Sequence, residues 1–89
     1  RSALLTGELD LAVYDEALAR VLDAFRGPGD VTLDLSQLTF MDSTGIRLLI
    51  QLRRQLDPKY RIILRSPSPP VRKVLEAVGV TDLGFELPG

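Results

Sequence analysis

Between two apolar stretches of the chain, Phe40-Met41-Asp42-Ser43-Thr44-Gly45 sets three oxygen-bearing side chains and a glycine in a row. Before it, Val31-Thr32-Leu33-Asp34-Leu35 alternates as a strand does; after it, Ile46 to Leu56 carries apolar residues at helical spacing. The six residues therefore lie at a strand-to-helix turn. The first N–H groups of a helix have no intrahelical acceptor, and the local dipole favours negative charge, whether carboxylate or phosphate. One of Asp42, Ser43 or Thr44 suffices as a cap, and Gly45 permits close helix packing. The surplus oxygens are what point to function: an exposed Ser43 hydroxyl at such a turn is well placed to carry a phosphate.

Other chemistry is thinner. Asp34 and Asp42 at the C-terminal ends of strands could hold Mg²⁺ as a phospho-acceptor site does. No further acid completes a shell, so Asp34 is better read as satisfying loop backbone, and no metal is expected. The sequence contains neither His nor Cys, which excludes a Ser-His-Asp hydrolase, a His-ligated metal and thiol chemistry within it. Pro67 and Pro70 match P-x-x-P, but a prolyl helix start explains them without a partner. Arg53, Arg54, Lys59 and Arg61 read as a solvated face, and no nucleic-acid partner is expected.

The elements that must position the turn follow from spacing. Residues 3–6 read as a short strand ended by Gly7, and Asp10 as the cap of a first helix. Tyr14, Ala17, Leu18, Val21, Leu22 and Phe25 give that helix one apolar face, and Gly27-Pro28-Gly29 stops it. A strand over 31–35 is joined by a connection, Gln37 to Met41, to a helix from about Thr44 to Leu56, with Leu48, Leu49, Leu52 and Leu56 inward. Asp57-Pro58 ends it. Ile62-Ile63-Leu64 reads as a strand buried on both faces, and Val71, Val74, Leu75 and Val78 as the apolar face of a third helix closed by Gly79. Phe85-Glu86-Leu87 can add a last strand. The β-α-β-α-β-α-(β) order implies an α/β fold with a mainly parallel sheet and right-handed crossovers.

Eighty-nine residues allow a single domain, 1–89, burying about 60–65% of its unfolded surface. No apolar run reaches the ~18 residues of a membrane-spanning helix, and no signal-peptide core opens the chain, so a cytoplasmic protein without a membrane partner is expected. The net charge of −1 conceals an asymmetry, with eight acids and three bases in residues 1–45 against four acids and eight bases after them. A solvated, mixed surface accounts for it.

Four stretches carry a resemblance: Leu5-Thr6-Gly7-Glu8-Leu9-Asp10, Val31-Thr32-Leu33-Asp34-Leu35-Ser36, Phe40-Met41-Asp42-Ser43-Thr44-Gly45 and Ser68-Pro69-Pro70-Val71-Arg72-Lys73-Val74-Leu75. In order, and over nearly the whole chain, they resemble the motifs of the STAS domain, the sulfate-transporter and anti-sigma-factor-antagonist family, above all its stand-alone bacterial antagonists. The resemblance implies a small mixed, mainly parallel sheet of about four strands with helices packed against it. Members usually have one more strand ahead of Gly7-Glu8-Leu9-Asp10, which this sequence starts too late to include. The implied role is a protein-binding switch without catalytic residues, cofactor or metal. The unmodified antagonist binds an anti-sigma factor that is also a serine kinase; the kinase phosphorylates the first Ser of the D-S-x-G motif, here Ser43, and a phosphatase resets it. Phe40, Met41, Asp42, Ser43, Thr44 and Gly45 would form the partner surface. Arg47 adds a long cation that could tune partner choice or help hold a phosphate. Two alternatives stay open: a STAS appendage of an anion transporter or sensory complex, and a small nucleotide- or phosphate-binding domain. The latter would need a glycine-rich loop with a Lys, which Gly45 alone does not supply.

Overall fold

Val31, Leu33 and Leu35 are fully buried while Thr32 and Asp34 between them are not, the period-two pattern of a strand covered on one face. The computed structural model, which describes residues 1–9 and 14–88 without the side chains of residues 7–9, extends this pattern to a whole sheet. Its strands are β1 (Ser2–Leu9), β2 (Val31–Met41), β3 (Ile62–Arg65) and β4 (Phe85–Glu86). Between them run the helices α1 (Tyr14–Ala24), α2 (Ser43–Gln55) and α3 (Pro69–Val78), with a 3-10 turn at Val80–Leu83 leading into β4. The strands lie in the order β1-β2-β3-β4 and every pairing is parallel. Right-handed crossovers that always step the same way leave all the helices on one side. Leu5, Leu33, Leu35, Ile62, Leu64 and Phe85 meet Val21, Leu48, Leu49, Leu52, Val71 and Leu75 there in a single apolar core.

Three expectations about the strands change. The first strand continues past Gly7 to Leu9, because β2 offers it partners throughout, Gly7 opposite Leu38 and Leu9 opposite Met41. The second strand runs to Met41 and does not give way to a loop at Gln37. Its register against β1 slips twice, Leu4–Thr6 spanning Asp34–Gln37 and Gly7–Glu8 spanning Leu38–Phe40, so β2 carries two extra residues as bulges. Each bulge resets the phase, and the buried positions change from every second residue to Leu35, Leu38 and Met41. The third strand is buried on one face only: Ile62 and Leu64 are inaccessible, Ile63 is half-buried and Arg65 is exposed. The outer face of the sheet is open, with Leu4 47% exposed.

Helix boundaries follow local chemistry. Asp10, expected to cap α1, lies outside the described residues. Tyr14, Val21 and Phe25 are buried, and Ala17, Leu18 and Leu22 pack more shallowly at the edge of the core. At the end of α3, Gly79 adopts φ +76°, a left-handed conformation open to glycine, and its N–H reaches the Leu75 carbonyl. Val78, on the last turn of α3, is 42% exposed against the expected inward position, and Val80, beyond the reversal, is seated in the core.

Guanidinium groups fasten the C-terminal segment. Arg53, expected on a solvated face, is half-buried and donates to the carbonyls of Gly84 (3.2 Å) and Asp57 (2.9 Å), joining the end of α2 to the approach to β4. Arg61 pairs with Asp30 (3.1 Å) and Glu86 (3.3 Å), and Arg72 donates to the Pro88 carbonyl (3.0 Å). The Arg61 N–H and guanidinium hold the Asp30 carboxyl below its ordinary range. Among the described residues, no helix is long and apolar enough to cross a membrane.

Candidate functional site

The two bulges of β2 decide how the turn is presented. Phe40 is left 46% exposed and Met41 is turned into the core, 3% exposed, immediately before the chain enters α2. Asp42, extended at φ −125°, is the N-cap: its Oδ1 accepts the Thr44 N–H at 2.8 Å and its carbonyl accepts the Ile46 N–H at 3.2 Å. Of the three candidate oxygens, Asp42 supplies the cap. Ser43 is then the first helical residue, exposed, and its hydroxyl has no hydrogen-bond partner among the described residues. Thr44 is half-buried.

Gly45 is required by packing. A Cβ built on it would stand 2.5 Å from Met41 Cγ and 3.3 Å from both Sδ and Cε, well inside van der Waals contact. The missing side chain lets the first turn of α2 settle on Met41, which fixes where Ser43 emerges. One turn further on, Arg47 lies exposed with its guanidinium carbon 4.8 Å from the centroid of the Tyr14 ring. Tyr14 was legible only as part of an apolar stripe. Here it is the first residue of α1, and its ring supports a cation beside the turn; an aromatic in place of an aliphatic residue was the available signal.

The structure thus gathers Phe40, Met41, Asp42, Ser43, Thr44, Gly45 and Arg47 at the β2–α2 junction and leaves the other candidates elsewhere. Asp34 lies within β2, its Oδ1 accepting the Ser36 N–H at 2.9 Å across the first bulge and its Oδ2 paired with Arg65 at 3.2 Å. Those contacts, the Ser36 N–H foremost, hold its carboxyl below the usual range. The backbone it satisfies belongs to a strand bulge and not to a loop. Among the described residues, no three acids gather where they could hold a metal ion. Pro69 and Pro70 occupy the first turn of α3, as a prolyl helix start requires, and the Ser68 hydroxyl donates to the Leu38 carbonyl at 3.3 Å.

The junction can offer a free hydroxyl flanked by an exposed aromatic and a cation. Among the described residues of the junction, the Asp42 carboxylate is engaged with the helix through its Oδ1. Comparison with known proteins bears on what such a surface serves. Residues 4–86 match the family model of the STAS domain. The chain is 37% identical over 79 residues to the anti-sigma F factor antagonist of Lysinibacillus sphaericus, an alignment covering 85% of this chain and 68% of that one. Among solved structures it is similar to the anti-sigma factor antagonist SpoIIAA in its unphosphorylated form. The TM-score is 0.77 and the identity 30%, over 99% of this chain and 78% of the other.

Proposed function

As the chain belongs to the STAS domain family, we propose that it is an anti-sigma factor antagonist, a regulatory binding protein switched by phosphate on Ser43. Unmodified, it binds a cytoplasmic anti-sigma factor that is also a serine kinase and so frees the sigma factor. The kinase transfers the γ-phosphoryl group of ATP to Ser43 Oγ: the new O–P bond forms as the bond to the β-phosphate oxygen breaks, ADP leaves, and the hydroxyl proton passes to a base of the kinase. A separate phosphatase hydrolyses the ester. Catalysis belongs to the partners, and this chain is their substrate.

One observation carries the reading. Ser43 is exposed and unpartnered among the described residues, because the neighbouring Asp42 already caps α2. A phosphate there adds about −1.5 to −2 charge without breaking a native hydrogen bond, and the start of a helix tolerates it. At an interface formed around a neutral hydroxyl and Phe40, the same charge must lose water or meet groups arranged for its absence, at a cost of several kcal/mol. Phosphorylation should therefore weaken binding by at least about tenfold, the equivalent of 1.4 kcal/mol, while moving Tm by a few degrees only. The test is to recover the kinase partner with unmodified protein, then compare parent, Ser43→Ala and phospho-Ser43 protein by calorimetry and kinase assay. Ser43→Ala should bind and resist modification. Equal modification of Ser43→Ala, or unchanged affinity of the phosphorylated parent, would refute the reading.

A further inference from the structure

Arg47 follows Ser43 by four residues on α2. Side chains at i and i+4 share one helix face, and Cβ bonds tilt toward the N-terminus, so a long side chain at 47 leans back over position 43. Arg47 is exposed, and among the described residues it forms no ion pair; its guanidinium rests against the Tyr14 ring, 4.8 Å from the centroid. The nearest acid in sequence, Asp42, is occupied by the Thr44 N–H. A cation is thus held one turn from a free hydroxyl by a contact that a phosphate can outbid. An exposed cation–π contact is weak, whereas guanidinium and phosphate make parallel charge-assisted hydrogen bonds.

We propose that Arg47 is the intramolecular receptor of the phosphate on Ser43, leaving the face of Tyr14 to form a guanidinium–phosphate pair on the first turn of α2; this rests on Ser43 being the modified residue. Free and modified forms then differ in two ways visible to a partner. The Ser43 hydroxyl becomes an anion, and the cation beside it is withdrawn from the Tyr14 ring and neutralised. Lysine would serve less well, having a point charge in place of the planar fork that matches two phosphate oxygens.

Phosphoserine can be installed at position 43 by semisynthesis, so the test needs no kinase. A ³¹P NMR pH titration of the phosphorylated parent, R47Q and R47K reads the pairing directly. The second phosphate pKa, ordinarily about 6, should lie at least about half a unit lower in the parent than in R47Q, roughly a threefold shift in the monoanion–dianion ratio. R47K should fall between them. Tyr14 ring resonances should move on phosphorylation in the parent and stay put in R47Q. Superimposed titration curves for parent and R47Q overturn the proposal, even if the cognate kinase modifies Ser43. A kinase that leaves Ser43 untouched, with the installed phosphate still titrating according to Arg47, would count against the regulatory reading and leave the pairing supported.

Discussion

Replacing Gly45 by Ala should destabilise the protein, although alanine is the better helix former. In a helix interior the exchange gains up to about 1 kcal/mol. Against that, the added Cβ would stand 2.5 Å from Met41 Cγ. Cγ is only one bond beyond the Met41 Cβ, so relief requires rotation about χ1, and a side chain only 3% exposed has little space for it. Overpacking of this kind costs about 1–3 kcal/mol, leaving a net loss of up to about 2 kcal/mol once a propensity gain of about 1 kcal/mol is subtracted. The sign should reverse when the obstacle is removed. In a Met41→Ala background, itself about 2–5 kcal/mol less stable, Gly45→Ala meets no Cγ and should stabilise by up to about 1 kcal/mol. Urea unfolding of the parent, both single variants and the double variant gives the coupling directly. An equal effect of Gly45→Ala in both backgrounds, or a gain in the parent, would show that Met41 does not require the glycine.

Leu52→Ala should cost about 2–5 kcal/mol, because Leu52 is wholly inaccessible. Leu18→Ala should cost less because Leu18 packs only at the margin of the core; denaturant melts giving the reverse order would mean that α1 is misassigned. Asp42→Ala should lose about 0.5–2 kcal/mol of capping energy, with Asp42→Ser recovering much of it. If Asp42→Ser were no better than Ala in thermal melts, the carboxylate would have a role other than the cap. Asp30 and Asp34 have folded-state pKa values lowered by their hydrogen bonds and arginine partners. Their stabilisation is therefore present above the unfolded carboxyl pKa of about 3.9 and is lost as pH falls through the lower folded values. Asp34→Asn should flatten the acid limb of the stability–pH curve below about pH 4, and an unchanged limb by urea titration would refute that assignment.

Alternation is a reliable guide only while a strand keeps step with its neighbour. Val31, Leu33 and Leu35 showed the start of β2 in the sequence, but beyond Asp34 each bulge inserted a residue with no apolar signature, and the rest of the strand looked like a loop. Gly7 misled similarly, since a glycine reads as punctuation and only the length of its partner shows that the strand continues. The candidate site was better marked because its main determinants are local: Asp42 caps, Ser43 follows the cap, and Gly45 lies on the side of the helix that meets Met41. What could not be read was the partner of Arg47. Tyr14 is far away in sequence, and tertiary packing alone brings the two together. The same is true of the contact from Arg53 to the Gly84 carbonyl, which also comes from far along the chain.

The arginine contacts to the last segment also determine how the molecule comes apart. β4 has two residues, too few for strand pairing to hold the segment from 80 to 88 by itself. Arg53 in α2, Arg61 just ahead of β3 and Arg72 in α3 grip it through carbonyls and an exposed carboxylate. Part of what keeps this end shut is therefore Coulombic and subject to screening by salt, unlike the apolar core beneath β2. Opening of the C-terminal end should form a separate sub-global unit, with amide exchange at Phe85 and Glu86 quickening as ionic strength rises while that of Leu33 and Leu35 hardly changes. Under such conditions the strand order would shorten from its β4 edge inward, and the β2–α2 junction, two strands away, would remain assembled.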